Sequence, residues 1–273
     1  MKTLLNWATQ QVAENMQPCH NFFKIVSGRF GQVIEQMAVS ARTIALVSLL
    51  FLSLFIAPAT PAYAQGAVLT PKQVVEYALT LEKLEADFYS RAVDATKSGG
   101  LADAPKVAKD AIVSYGKDEA RHVDDLSDVL TALGGNPDAV SIPKNPNYKA
   151  ILGGKNPFAN LENFLLAGQV VEDLGVAAYK GQVQNLLAAG EAGETVLAGA
   201  LEIHSVEARH AAGIRYLRQT LLNANIRPWI RNQSEVIYNE NRSGSPIPFM
   251  DVAFDGFATS DEVLALVDPI LNP

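Results

Sequence analysis

The tetrapeptide Glu119-Ala120-Arg121-His122 recurs letter for letter as Glu207-Ala208-Arg209-His210. Each copy follows a Glu-x6-Tyr segment, Glu82 with Tyr89 before the first and Glu172 with Tyr179 before the second. The separations nearly match, 37 residues from Glu82 to Glu119 and 35 from Glu172 to Glu207. Read as helices, each half presents one carboxylate on a first helix and a Glu-x-x-His pair on a second. That is the ligand set of a carboxylate-bridged two-metal site inside a four-helix bundle.

The periodicity supports helices independently of any metal. Ile112, Tyr115, Glu119, His122, Leu126, Val129 and Leu133 fall at steps of three and four, as do Ile203, Glu207, His210, Ile214, Leu217 and Leu221. The upstream segments repeat the pattern, with Val75, Ala78, Glu82, Glu85, Tyr89 and Ala92 in one and Leu165, Gly168, Glu172, Gly175, Tyr179 and Leu186 in the other. Glu and His therefore occupy seam positions where Leu is normal. Burying them is costly unless they are paired or bind a cation.

The rest of the chain frames this unit. Ile44 to Ala57 is an unbroken apolar or small run, with Arg42 before it and Ala62-Tyr63-Ala64 after it. It reads as an export signal cleaved before Gln65, so residues 1–64 are set aside, including a long n-region over 1–43. An uncleaved anchor is the competing reading, disfavoured because a span needs about 20 residues. The absence of an Arg-Arg pair favours the general secretory route. Removing Lys2, Lys24, Arg29 and Arg42 together with Glu14 and Glu35 takes the formal charge from −7 to −9, which argues against a nucleic-acid partner. The sole cysteine, Cys19, leaves with the signal, so neither disulfides nor thiolate metal sites are expected.

The expected fold is all-α. Thr70-Pro71 opens a helix running to about Lys97; a second spans Lys106 to Leu133; a third about Phe158 to Ala189; a fourth Glu194 to about Asn225, after a tight turn at Gly190 to Gly193. The connections run short, long, short, with one crossover from Asn136 to Pro157 between helices 2 and 3. Residues 65–228 thus form the bundle. Residues 229–273 are an irregular tail packing along it, with one short helix, Ser260 to Val267, capped by Ser260.

The metal ligands read from this pattern are Glu82, Glu119, His122, Glu172, Glu207 and His210. Glu119 and Glu207 bridge, Glu82 and Glu172 bind terminally, and each histidine completes one metal. Carboxylates and imidazoles suit iron or manganese better than zinc, and four carboxylates balance two divalent cations. Against this stands a polar bundle core of mutually hydrogen-bonded acids. Glu85, Tyr89, Tyr179 and His204 are further candidates, each with a plainer reading: a solvated acid, two core aromatics and an interhelical packing histidine. Asp118 and Asp173 flank ligands but point off the seam, while Arg121 and Arg209 face sideways into salt bridges. Gly175, opposite Glu85 in the two halves, is expected to leave room for a small ligand.

The segments Leu81-Glu82-Lys83-Leu84-Glu85-Ala86-Asp87-Phe88-Tyr89, Glu172-Asp173-Leu174-Gly175-Val176-Ala177-Ala178-Tyr179 and Val206-Glu207-Ala208-Arg209-His210-Ala211-Ala212 resemble the exported ferritin-like proteins related to desiccation-associated proteins. The resemblance covers about residues 70 to 270 and implies a ferritin-like four-helix bundle and the same six ligands. It does not imply one reaction. The expectation is an exported protein of the periplasm, or an equivalent lumenal or extracellular compartment, holding two iron or manganese ions and meeting oxygen or peroxide. Oxidation of iron(II) or removal of peroxide is its expected chemistry. The competing function is a non-enzymatic stress or desiccation scaffold whose metal is structural or absent.

Overall fold

The computed structural model describes residues 68–231 and 255–272. The expected export signal at 1–64 and most of the tail between Trp229 and Asp255 lie outside the described residues. Within them the chain is helical, and no strand occurs among the described residues. The helices are α1 (Pro71–Ser98), α2 (Lys106–Ala132), α3 (Leu161–Ala188), α4 (Glu191–Leu222) and α5 (Ser260–Leu271). No helix among the described residues is long and apolar enough to cross a membrane.

Local chemistry sets the helix ends. Thr70 caps α1 and exchanges hydrogen bonds with Gln73, while Pro71 supplies a first helical residue that needs no N–H partner. Asn160 caps α3, so this helix starts three residues later than Phe158, which instead lies in a 3-10 turn, Pro157–Ala159. The fourth helix begins three residues before Glu194. Gly190 alone makes the reversal with a φ of 60°, and a Cβ at position 193 would stand 1.9 Å from the Leu186 carbonyl oxygen, so Gly193 belongs to the helix and lets it pass close to α3. That helix ends at Leu222, short of Asn225, because Asn223 turns left-handed with a φ of 54°. The α5 cap is Thr259, paired reciprocally with Glu262, and the helix continues through Pro269 to Leu271, beyond Val267.

The buried stripes follow the expected seams. Val75, Ala78, Glu82, Glu85, Tyr89 and Ala92 are all buried on α1, as are Leu165, Gly168, Glu172, Gly175, Tyr179 and Leu186 on α3. The α2 seam departs late in the helix, where Leu130 is buried and Val129 is only partly covered. The packing is chiefly α1 on α2 and α3 on α4, and α2 and α4 approach each other little.

The crossover carries three 3-10 turns, Pro137–Ala139, Tyr148–Leu152 and Pro157–Ala159. It is tied down rather than loose. Lys83 Nζ donates to the carbonyls of Pro137 and Val140 at 2.8 and 2.6 Å. The buried Tyr148 hydroxyl lies 2.8 Å from both the Leu84 carbonyl and the Asp87 carboxylate. The C-terminal segment joins the same side, where the Ala258 N–H donates to the Ala177 carbonyl and that of Asn147 to Ile270.

Candidate metal centre

The period that places apolar residues inward also turns one acid of α1, one of α3 and a Glu-x-x-His pair of α2 and of α4 to a common point. Glu82, Glu119, Glu172 and Glu207 are at most 1% exposed, and His122 and His210 are 6% and 3% exposed. They form two four-residue groups, Glu82, Glu119, His122 and Glu207, and Glu119, Glu172, Glu207 and His210, each offering ligand atoms within 4.8 Å of one another. Glu119 and Glu207 belong to both. The six residues read from the sequence therefore come together.

Both histidines turn Nδ1 inward. His122 Nδ1 lies 3.2 Å from Glu82 Oε2, 3.0 Å from Glu119 Oε2 and 3.3 Å from Glu207 Oε1. His210 Nδ1 lies 2.8 Å from Glu119 Oε1 and 3.5 Å from Glu172 Oε2. On its outer side His210 Nε2 stands 3.1 Å from Asp118 Oδ2, an arrangement that keeps a proton on Nε2 and turns Nδ1 to the interior. Tyr115 stacks on the same ring with centroids 4.1 Å apart. Val206 occupies the position matching Asp118 in the second half, so the two histidines are held differently.

The Glu-x6-Tyr repeat has a geometric meaning. Tyr89 on α1 donates to Glu172 Oε1 on α3, and Tyr179 on α3 donates to Glu82 Oε1 on α1 at 2.5 Å. Each tyrosine orients the other half's carboxylate. Burial, together with these carboxylates, pushes both phenols well above their ordinary range, so both stay donors.

Electrostatically the cluster lacks positive charge. Burial raises Glu82 to about 7 despite His122, and raises Glu172 and, far more, Glu207, where Glu119 and Glu82 add repulsion. Burial would raise Glu119 too, but the two imidazoles override it and hold it at about 2. The same burial would lower the imidazoles, yet the surrounding carboxylates lift His122 to about 12 and His210 to about 11. Protons crowd onto the histidines because nothing else there carries positive charge.

The donor atoms fit cations better than they fit each other. Glu119 Oε1, Glu172 Oε2, both Glu207 oxygens and His210 Nδ1 are buried without an aligned hydrogen-bond partner, although His210 Nδ1 and Glu119 Oε1 are close. Buried polar atoms left unmade cost about 1–3 kcal/mol each, more for charged groups. Two cations seated between these oxygens and nitrogens would satisfy all of them.

Residues 71–220, more than half of the chain and all but the last two residues of α4, match the ferritin-like domain. The chain belongs to the ferritin-like domain family. No curated protein matches it.

Other residues of this ferritin-like chain fall on either side of the expectations. Glu85 reaches the centre, buried among Glu207, Glu82, Glu119 and Glu172, and burial followed by those charges pushes its carboxyl well above the usual range. The position a Gly175 side chain would take is already filled, since a Cβ there would lie 2.8 Å from Glu207 Oε2 and 3.2 Å from Glu85 Oε1, and the open space that Gly175 does border is a cavity shared with α1 and α5. His204 does not join the centre. Its Nδ1 meets the Val176 carbonyl at 3.1 Å, an α4-to-α3 contact, and burial pushes its pKa down. Asp173, off the seam as expected, is 3% exposed and held by the equally buried Arg215 of α4 through Nε at 3.2 Å and through Nη2. Arg121 does pair outward, with Asp125 at 3.3 Å, and Arg209 reaches Ser205. The pattern of seam residues gives no hint of Asp118 or Arg215, because both act from beside the seam.

Two cavities border the centre from opposite sides. The larger, about 830 Å3, opens where α2 and α4 stand apart and reaches His122, His210 and Tyr179, with Asp118, Arg121 and Arg209 among its lining. The smaller, about 220 Å3, lies between α1, α3, α5 and the crossover and reaches Glu85 and Gly175.

Proposed function

We propose that this ferritin-like protein is exported and that its bundle holds two iron or manganese ions, with oxidation of iron(II) or removal of peroxide as its activity. The observation that carries the reading is the pair of side-chain groups that share Glu119 and Glu207 and leave Glu119 Oε1 and both Glu207 oxygens without hydrogen-bond partners. Glu82, Glu119, His122 and Glu207 would hold one metal and Glu119, Glu172, Glu207 and His210 the other, with Glu119 and Glu207 common to both. Four carboxylates neutralise two divalent cations, and hard oxygen donors beside one imidazole per metal suit iron and manganese better than zinc.

Bound in this way, the metals supply one-electron steps to oxygen or peroxide that no side chain here supplies. The protein's own part is to hold and to exclude. Tyr89 and Tyr179 keep the terminal carboxylates facing inward, and Asp118 keeps the His210 proton on Nε2. Burial of all six ligands keeps bulk water from competing for them. The larger cavity, with Asp118 at its edge, is the way in for cations.

Export rests on the apolar run Ile44 to Ala57 followed by Ala62-Tyr63-Ala64, and places the mature start at Gln65. Oxygen consumption on adding iron(II) to purified protein, with metal analysis of the same sample, tests the function. Uptake that scales with protein and is lost in Glu119→Ala supports it, and two bound metals without any reaction toward oxygen or peroxide would leave the bundle a scaffold.

A further inference from the structure

The smaller cavity is unlike its surroundings. Its walls are aliphatic and aromatic, with Leu81, Leu84, Leu174, Ile151, Val267 and Ile270 around the space. Two polar side chains reach it. Tyr148 is spoken for, since its hydroxyl already meets Leu84 and Asp87. Glu85 is not: it is 7% exposed and its Oε2 is buried without any hydrogen-bond partner. An apolar space that ends on one unpartnered carboxylate, beside the oxygens of Glu207, is the form of a small-molecule site with a single orienting group.

The geometry points to this cavity, between α1, α3 and α5, as the binding site for an uncharged, largely apolar molecule whose hydroxyl donates to Glu85. The size follows from the volume. A dry cavity of about 150 Å3 takes benzene, so about 220 Å3 holds roughly nine non-hydrogen atoms. The head group follows from the charges. The oxygens of Glu85 and Glu207 lie together and no cationic side chain lines the cavity, so an anionic head would enter unpaired, and a buried ammonium would keep a desolvation cost that pairing only partly offsets. A hydroxyl satisfies Glu85 without either cost. Half-exposed Leu266 of α5 stands at the rim, which makes the C-terminal helix part of the site wall. Such a molecule would sit against the centre on the side away from the histidines, and its role as a ligand of that centre rests on the metal reading above.

The test uses full-length protein, as purified and after metal removal, titrated calorimetrically with 1-octanol and with octanoate. One octanol per chain is expected, with octanoate weaker by roughly tenfold or more. Val171→Phe from α3 and Leu266→Trp from α5 each narrow the cavity, and each should weaken octanol by a similar factor with unchanged helical content. A third variant, Glu85→Leu, should remove the preference for octanol over octanoate. Equal binding of octanol and octanoate, octanol binding indifferent to both filling variants, or no octanol binding by helical parent protein overturns the inference. Metal analysis on the same samples separates the two readings. Octanol binding by a protein that never takes up metal sinks the metal centre alone, and two metals with no octanol binding sinks the cavity alone.

Discussion

Arg215→Met tests how the α3–α4 half of the bundle is held, and its cost can be worked from the structure. Arg215 and Asp173 are 1% and 3% exposed, and the guanidinium grips the carboxylate with both Nε and Nη2. Even so, burial outweighs Arg215 and raises Asp173 to about 6 from an ordinary 3.8. The pair is therefore a partly compensated cost, as buried ion pairs commonly are. Because the folded pKa is the higher one, this group's contribution is fully favourable below about 4 and is lost as pH rises through about 6. Removing Arg215 leaves Asp173 the Gln169 amide, with Nε2 at 3.3 Å, and the charge of Arg218. Breaking one side of a buried pair costs about 3–5 kcal/mol. For a domain of this size that lowers Tm by roughly 10 °C at pH 8. Asp173 escapes by taking up a proton, so the difference from parent should shrink by up to about 1.4 kcal/mol for each pH unit below its new pKa. Near pH 5.5 both proteins hold Asp173 largely neutral, and the lost packing of the arginine stem remains. Circular-dichroism melts of parent and variant at pH 8 and 5.5 read this directly, and Asp173→Asn combined with Arg215→Met should recover much of the loss. A loss under about 1 kcal/mol at pH 8, or one independent of pH, would refute the argument.

Three further predictions concern the centre and the tail. His122→Ala and His210→Ala should each lose about half of the bound metal, since the proposed centre gives each metal one imidazole, whereas Asp118→Asn should keep both metals but weaken the His210 side by roughly tenfold or more, read by metal titration. Gly175→Leu should cost metal as well, because its side chain would start 2.8 Å from Glu207 Oε2; full metal content in a folded variant would mean that Glu207 can move aside. Gly181→Val would set a Cβ 1.8 Å from the Ala258 carbonyl oxygen, so the segment leading into α5 should detach, and limited proteolysis should cut near Ala258 far faster than in parent while α1 to α4 survive.

The bundle was legible in the sequence because its two signals reinforce each other. A helix seam repeats every three or four residues, and a Glu or His standing in that seam has few explanations. The same logic picked out the six side chains that converge on the centre and both tyrosines, although the cross-over of Tyr89 to Glu172 and Tyr179 to Glu82 needed the spatial pairing of α1 with α3. What escaped lies off the seam or depends on volume. Asp118 and Arg215 act from positions that the periodicity assigns to the sides, and the space over Gly175 looked open because its absent side chain was counted without the carboxylates that turn into it. Helix ends shifted where one residue decides, as Asn160, Gly190, Asn223 and Thr259 do.

The central claim is tested most directly by crystals of protein grown with iron(II) or manganese(II), with anomalous diffraction measured at the absorption edge of the added metal. Two peaks per chain are expected, one among Glu82, Glu119, His122 and Glu207 and the other among Glu119, Glu172, Glu207 and His210, with His Nδ1 turned to each. No peak at neutral pH, with the carboxylates instead hydrogen-bonded to protonated His122 and His210, would contradict it.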